Sequence, residues 1–172
     1  TANGPSRRQF LTQTSLAMAG VAALARLPRV HAAPPESDME VKIGLIGCGG
    51  RGTGAVLDAL GAATKVIYPS AGYHTEDVAE GAKVERSNIK VVALADLLED
   101  RLVKCRGELE KLGIDIPRNR CFTGFSAYKE LVGLPEVNYV IQATPPHFRP
   151  PHLLAAIEAG KHVFIEKPAA VD

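Results

Sequence analysis

Two short polar segments stand directly after apolar, strand-like runs in the last third of the sequence. Residues 144–149 (Thr-Pro-Pro-His-Phe-Arg) follow the run 137–143, and residues 166–168 (Glu-Lys-Pro) follow the run 162–165. In an open parallel sheet the ligand lies beyond the carboxyl ends of the strands, so the residues just after each strand matter most. The polar groups at this apolar edge are therefore the first candidates for chemistry.

A glycine-rich turn predicts a site for a phosphate-bearing cofactor. Residues 41–60 contain a short apolar run, then Gly-Cys-Gly-Gly-Arg-Gly at 47–52, then a stretch that favours a helix. In this order, Gly47 allows the tight turn, Gly49 lets the backbone approach a diphosphate and Gly52 lets the helix pack on the strand. The first amides of the helix then face the phosphates. The predicted cofactor contacts in this turn are Gly47, Gly49, Gly50, Arg51 and Gly52.

A carboxylate at the end of the next apolar run points to NAD as the cofactor. Residues 90–95 form this run, and Asp96 ends it, at the position where a carboxylate binds both ribose hydroxyls and repels a 2′-phosphate. The position favours NAD, with NADP as the alternative. Asp96 stands 44 positions after Gly52, whereas the motif usually places its acid about 20 residues on.

The extra length predicts an insert at about 61–88, between the glycine turn and this acid. The insert contains an acidic patch at 76–80, and Thr75 is placed to cap a short helix that runs through Arg86. One interpretation is a lid over the site or a contact between subunits, and the other is a surface elaboration without a role. We favour the surface elaboration, because long loops are only sometimes functional.

Apolar runs of strand length alternate with helical patterns along the rest of the chain. Gly113 closes a helix over 98–112, and Gly160 closes a helix over 150–159. The repeated strand–helix order predicts an α/β fold, a Rossmann-type doubly wound parallel sheet, over residues 41–172. The predicted strands are 41–46, 90–95, 121–123, 137–143 and 162–165, and the other predicted helices are 53–60 and 126–132.

The composition disfavours some classes of partner and site. The formal net charge is +1, which gives no concentrated basic face for nucleic acid or an acidic membrane surface. Cys48, Cys105 and Cys121 are widely spaced and form no zinc-binding pattern with histidine. We expect inert thiols, no disulfide framework, no metal site and a small-molecule substrate.

The first 32 residues resemble a twin-arginine signal peptide. Paired arginines at 7–8 precede Phe-Leu, and Val-His-Ala at 30–32 offers alanine at the cleavage position. The clean apolar part, 16–25, has only ten residues, too few for a membrane anchor. The resemblance implies export of the folded protein, to the periplasm or otherwise out of the cytoplasm, by the twin-arginine machinery with a tightly held cofactor already bound. Residues 33–40 then form a short exposed linker.

This predicted signal has one departure and one alternative. Thr12 stands where such signals often carry a lysine. The alternative is an amphipathic first helix of the fold. It is disfavoured because the run 17–25 is apolar on all faces.

Four motifs taken together resemble the Gfo/Idh/MocA family, that of glucose-fructose oxidoreductase and inositol dehydrogenase. They are the glycine turn, Thr-Pro-Pro-His at 144–147, Ala-Gly-Lys-His-Val at 159–163 and Glu-Lys-Pro at 166–168. The resemblance covers residues 41–172 apart from the insert. It implies hydride transfer between a sugar or cyclitol carbon and the nicotinamide of the cofactor.

The resemblance also implies roles for single residues. Lys167 acts on the hydroxyl proton as the carbon gives up hydride, because a buried amine, or one whose charge stabilises a developing alkoxide, eases loss of that proton. Glu166 orients Lys167 or the nicotinamide ribose. Thr144, Pro145 and His147 line the nicotinamide edge, and Lys167 also contacts the cofactor. The remaining polar residues, expected to be structural, surface or internally hydrogen-bonded groups, are His152, His162 and Gln142.

Members of this family continue into a second, α+β domain with an antiparallel sheet, which supplies the substrate pocket, usually a catalytic histidine, and much of the oligomer contact. The sequence stops at Asp172, so we expect a fragment that binds a dinucleotide without turning over a sugar, and a homo-oligomer when complete. Three functions stay open for the complete protein. They are an oxidoreductase, a glycosidase that retains NAD and eliminates the glycosidic bond after transient oxidation, and a non-catalytic nucleotide-binding protein. Loss of Lys167 would be the sign of the third, and Lys167 is present.

Overall fold

The computed structural model describes residues 39–68 and 73–171. The predicted signal peptide (1–32) and most of the predicted linker (33–40) lie outside these residues. Within the described part, no helix has the length and apolarity needed to span a bilayer. The strands are β1 (Val41–Ile46), β2 (Thr64–Tyr68), β3 (Tyr73–Val78), β4 (Ile89–Asp96), β5 (Cys121–Thr123), β6 (Tyr139–Gln142) and β7 (His162–Ile165). The α-helices are α1 (Gly50–Leu60), α2 (Glu99–Glu110), α3 (Ala127–Val132) and α4 (Arg149–Glu158).

Five of the strands form one sheet in the order β5-β4-β1-β6-β7. Each neighbouring pair is parallel. The chain leaves β1 towards β4 and β5 and later crosses to β6 and β7, so the direction of strand order reverses between β1 and β6. This topology confirms the predicted α/β class and the doubly wound parallel sheet.

Helices cover both faces of this sheet and make two apolar cores. On one face, α1 and α2 pack on β1 and β4 through residues such as Leu45, Leu57 and Leu109. On the other face, α3 and α4 pack through residues such as Leu131 and Ala156. A parallel strand buried on both faces needs an almost continuous apolar sequence. This requirement explains why the composition of residues 41–46 and 90–95 predicted the strands β1 and β4.

Element bounds differ slightly from those predicted. α1 begins at Gly50, three residues before the predicted start, and its first turn is closed by a hydrogen bond from the Thr53 amide to the Gly49 carbonyl at 2.9 Å. Glycine is a poor helix former, so the pattern placed the start at Thr53, directly after the last glycine of the turn. The other predicted elements of the main sheet and its helices lie within two residues of the observed bounds.

The helix predicted from Thr75 through Arg86 is wrong. Residues 73–78 form β3, which pairs antiparallel with β2. The hairpin docks on α2, where the Val78 amide donates to the Glu108 carboxylate at 2.8 Å. Just beyond the strand, Gly81 has a left-handed φ of 72°, a conformation that a helix excludes. The insert is therefore a hairpin and its return segment, and it accounts for the long spacing before β4.

Candidate functional site

The carboxyl ends of β4, β1 and β6 open onto one cleft. Its walls include Gly47 and Gly49 from the turn after β1, Asp96 at the end of β4, and Thr144 and Pro145 after β6. The reversal of strand order lies in this cleft. Open α/β sheets bind ligands at such a switch point. The fold thus brings together residues that were predicted from separate motifs.

Backbone crowding explains two glycines of the turn after β1. Gly47 has a left-handed φ of 95°, and a Cβ there would lie 2.9 Å from the carbonyl carbon of Ala143. A Cβ on Gly52 would lie 1.8 Å from the carbonyl oxygen of Gly47. Any side chain at Gly52 would therefore push α1 away from the turn. Both positions fit their predicted roles in the tight turn and in close packing of the helix.

The first turn of α1 presents backbone amides that no side chain caps. Gly49 precedes the helix without a side-chain cap, and the first turn contains no acidic residue. The nearest atom to a Cβ built on Gly49 is a guanidinium nitrogen of Arg101 at 3.8 Å, so the backbone is open on that side. Free amides and the helix dipole favour an anion at this end. The turn therefore fits the diphosphate of a dinucleotide.

Asp96 fixes the turn through its carboxylate. Oδ2 accepts a hydrogen bond from the Cys48 amide at 2.6 Å, and Oδ1 accepts one from the Leu98 amide at 2.9 Å. The residue is only 8% exposed, yet it lines the cleft. A carboxylate has about four lone-pair positions, so it can also accept hydrogen bonds from ribose hydroxyls. The predicted contact between Asp96 and a ribose is compatible with this geometry.

Two charged residues beside the turn were not predicted from the sequence to lie at the site. Arg101 lies on α2 and lines the cleft; its spacing of five residues from Asp96 places it on the first turn of the next helix. Glu76 lies on β3. Its carboxylate oxygens are 3.2 Å from the position of a Cβ on Gly50, and Oε1 pairs with Lys104 at 3.0 Å. Glu76 reaches the turn only because the insert folds as a hairpin.

Aromatic rings form another wall of the cleft. The ring centroids of Phe125 and Phe148 are 6.4 Å apart, and His152 packs on Tyr128 at 4.2 Å. Nδ1 of His152 lies 3.3 Å from the Thr144 hydroxyl. Burial lowers the pKa of His152, so the imidazole is neutral at pH 7. These contacts agree with the predicted structural role of His152.

One ion pair joins the glycine turn to the Glu-Lys-Pro segment. Nη2 of Arg51, in the first turn of α1, donates to Oε1 of Glu166 after β7. The Glu166 side chain is 9% exposed, whereas that of Arg51 is 63% exposed. The hydrogen bond from Arg51 lowers the pKa of Glu166 although burial opposes the shift. Two residues that were predicted to contact the cofactor therefore also contact each other.

A buried arginine connects the two polar segments. Nε of Arg149 donates to the Thr144 carbonyl at 2.7 Å, and Nη1 donates to the Glu166 carbonyl at 2.6 Å and to the Pro168 carbonyl. The side-chain amide of Gln142 donates through Nε2 to the Arg149 carbonyl at 2.8 Å. This contact confirms internal hydrogen bonding by Gln142, although its Oε1 has no partner among the described residues. The sequence motifs gave Arg149 no role.

Lys167 and His147 are both exposed at this end of the sheet. Lys167 follows β7, and its peptide bond to Pro168 is cis. His147 lies in a 3₁₀ turn, with its ring edge-on to Phe148 at a centroid distance of 5.4 Å. Both side chains therefore lie outside the apolar core, at the carboxyl edge of the sheet.

The three cysteines are free thiols. A hydrogen bond with Cys105 and burial raise the pKa of Cys48 well above its ordinary value, which suppresses the reactive thiolate. This agrees with the prediction of an inert thiol at Cys48. Between residues 39 and 171, leaving out 69–72, no three His, Cys, Asp or Glu side chains converge as a metal site requires.

Residues 41–172 match the Gfo/Idh/MocA oxidoreductase family, in its NAD-binding Rossmann fold. A glycosyl hydrolase family 109 protein from Solibacter usitatus is 30% identical over 170 residues, which are 96% of this chain and 33% of the relative. One from Shewanella amazonensis is also 30% identical, over 96% of this chain and 34% of the relative. The chain therefore spans about a third of the length of these curated relatives.

Solved structures share the fold. The myo-inositol dehydrogenase from Lactobacillus casei, in complex with NAD(H) and myo-inositol, has a TM-score of 0.51 and 21% identity over 77% of this chain and 30% of its own. The WlbA dehydrogenase from Chromobacterium violaceum, in complex with NADH and UDP-GlcNAcA, has a TM-score of 0.52 and 21% identity over 82% of this chain and 31% of its own. The family match confirms the resemblance that the motifs indicated and the predicted NAD cofactor.

Proposed function

Because the chain belongs to the Gfo/Idh/MocA oxidoreductase family and carries its NAD-binding Rossmann domain, we propose that the complete protein transfers hydride between a sugar or cyclitol and a tightly bound nicotinamide cofactor. One observation carries this proposal. The glycine turn and Asp96 line one cleft at the carboxyl edge of the sheet, and Arg51 joins that turn to the Glu-Lys-Pro segment. The substrate class rests on the family resemblance.

The two sides of the switch point bind different parts of the cofactor. The first amides of α1 bind the diphosphate, and Asp96 accepts hydrogen bonds from the ribose next to it. Thr144, Pro145 and His147 line the nicotinamide end. When bound, the nicotinamide supplies the chemistry of accepting or returning a hydride.

Lys167 assists the substrate hydroxyl. As the carbon loses hydride, the hydroxyl must lose its proton for a carbonyl to form. The hydroxyl proton passes to solvent water, and the positive charge of Lys167 stabilises the oxygen as negative charge develops on it. Glu166, a carboxylate held by Arg51, orients the Lys167 segment or the nicotinamide ribose.

Turnover by protein from the complete reading frame tests this proposal. We expect reduced nicotinamide to form with a member of a panel of sugars and cyclitols. Lys167→Ala should lower kcat by roughly 100- to 10,000-fold while NAD stays bound. Lys83→Ala, at an exposed lysine of the insert, is the matched control and should keep the wild-type rate. Wild-type rates in Lys167→Ala, or no turnover with any member of the panel, would contradict the proposal.

A second candidate is a glycosidase that retains NAD and cleaves a glycoside by transient oxidation and elimination. The observation that favours it is the 30% identity to proteins named as glycosyl hydrolase family 109. Release of sugar from a chromogenic glycoside, with no net reduction of NAD, would support this candidate. Net formation of reduced nicotinamide without glycoside cleavage would support the dehydrogenase.

We also propose export by the twin-arginine route, on the strength of the motif at residues 6–11. The double variant Arg7→Lys, Arg8→Lys should stay in the cytoplasm as precursor, whereas the exported wild type should begin at Ala33. Arg26→Lys, outside the pair, is the control and should be exported normally. Equal export of the wild type and the double variant would contradict this route.

A further inference from the structure

Arg149 is only 7% exposed, yet its guanidinium has no carboxylate as a hydrogen-bond partner among the described residues. The three contacts of its guanidinium within the described part of the chain are with backbone carbonyls. An arginine fork presents five donors in a fixed plane, which suits carbonyls from different segments. The Arg149 side chain therefore holds backbone segments in place. Its role depends on which segments these are.

The carbonyls belong to the two segments of the candidate site. Nε holds the Thr144 carbonyl, in the segment after β6. Nη1 holds the carbonyls of Glu166 and Pro168, the two residues that flank Lys167. One guanidinium nitrogen thus fixes the chain on both sides of Lys167. At the same time, Gln142 holds the Arg149 carbonyl, which anchors the start of α4 to β6.

We propose that Arg149 is a positioning residue that sets where the Lys167 backbone lies relative to the segment after β6. The inference rests on the proposed hydride transfer, in which Lys167 acts on the substrate hydroxyl. Arg149 itself contacts neither substrate nor cofactor. A lysine at this position would keep the charge but could not hold all three carbonyls in one plane.

Arg149→Lys in protein from the complete reading frame tests the proposal. We expect kcat to fall by about 100-fold, the loss that a misplacement of about 1 Å produces. The Kd for NAD should change by less than about threefold, because the glycine turn and Asp96 are untouched. Amide hydrogen exchange over residues 166–171 should become faster, with exchange in β1 and β4 unchanged. A purely structural role would lower the thermal midpoint but leave the kcat of the folded enzyme as it was.

Lys161→Met is the matched control. Nζ of Lys161 also donates to a backbone carbonyl, that of Leu134 at 2.8 Å, but at the opposite end of β7. This variant should keep the wild-type kcat and the wild-type exchange over 166–171. A kcat for folded Arg149→Lys within about threefold of wild type, or unchanged exchange over 166–171, would overturn the proposal.

Two further outcomes keep the test decisive. If the wild type turns over no substrate, the proposed function fails, while the exchange measurement still decides whether Arg149 holds the segment. If Arg149→Lys loses its cooperative melting transition, Gln142→Leu replaces it, because it removes the side-chain amide that holds the Arg149 carbonyl and leaves the guanidinium in place. That variant should lower kcat by about threefold to tenfold and speed exchange over 166–171. Wild-type values for both would overturn the proposal.

Discussion

Close backbone contacts constrain Gly47 and Gly52 of the glycine turn, whereas charged side chains from other elements hold the Glu-Lys-Pro segment. In the turn, a Cβ on Gly52 would lie 1.8 Å from the carbonyl oxygen of Gly47. In the segment, Arg149 and Arg51 reach residues 166–168 from other parts of the chain. The first region tolerates no added atom at Gly47 or Gly52, and the second depends on which partners are present. Substitutions should therefore act differently at the two ends of the site.

The largest effect is expected from Gly52→Ala. The new methyl group meets backbone, which cannot move aside, so we expect a loss of about 3 kcal/mol or more in the free energy of unfolding and loss of NAD binding. Gly54→Ala is the control in the same helix, since a Cβ there meets nothing within 4 Å. It should stabilise the protein by about 0.5–1 kcal/mol. Denaturant unfolding and calorimetric NAD titration measure both, and wild-type values for Gly52→Ala would contradict the steric argument.

Gly49→Ala separates ligand binding from folding within the turn. Gly49 has φ −68° and ψ 179°, which any residue adopts, and its Cβ position is open. We expect stability within about 0.5 kcal/mol of wild type. The Kd for NAD should rise by about tenfold, because a methyl group stands where a diphosphate approaches the amides. If folding and binding fell together, the distinction between Gly49 and Gly52 would be wrong.

Glu76→Gln tests whether the hairpin influences the turn. The hydrogen bond from Lys104 lowers the pKa of Glu76, so the carboxylate is charged at neutral pH beside Gly50. Removing this charge should tighten NAD binding by about twofold to fivefold at low salt, with a smaller gain at high salt. Glu110→Gln, at the far end of α2, should leave the Kd unchanged. Weaker binding by Glu76→Gln would show that the hairpin supports the cofactor rather than opposing it.

The smallest effect is a pH-dependent loss of stability in Arg51→Gln. The pKa of Glu166 is lowered in the folded protein, so the ion pair stabilises the fold above the ordinary value of 4.5. The contribution is lost as the pH falls through the lowered value. Because Arg51 is exposed, we expect the variant to lose about 0.5 kcal/mol or less at pH 7, with the difference shrinking below pH 4.5.

Unfolding free energies of wild type and variant, measured across this pH range, provide the check. Arg118→Gln is the control, since it breaks a pair with Glu99 in which both side chains are exposed. It should show no such pH dependence. A difference between Arg51→Gln and wild type that grows as the pH falls would contradict the assignment to Glu166.

The glycine turn was predictable because its determinants are local. A strand, the turn and a helix follow one another in sequence. Gly52 answers a steric demand within that stretch, and Gly47 answers one from Ala143, just after β6. The order of strands and helices was predictable for a similar reason, since buried parallel strands have apolar sequences. Asp96 was identified by its place at the end of such a strand despite the irregular spacing.

The contacts that hold the Glu-Lys-Pro segment were not predictable, because they join residues far apart in sequence. Arg51 and Glu166 are 115 positions apart, and no local pattern records their meeting. Arg149 has the residue type of a surface cation, and only its burial reveals its role. The prediction of a helix in the insert was wrong for a related reason. Thr75 can cap a helix, but residues 73–78 instead form a strand that pairs with β2.

Released nucleotide is the most direct measure of the NAD site. Protein from the complete reading frame, purified and denatured, should release NAD in about equimolar amount, as identified by mass. Gly52→Ala protein prepared in the same way should release none. Protein that releases neither NAD nor NADP, and binds neither in titration, would contradict the cofactor site and, with it, the hydride transfer assigned to Lys167.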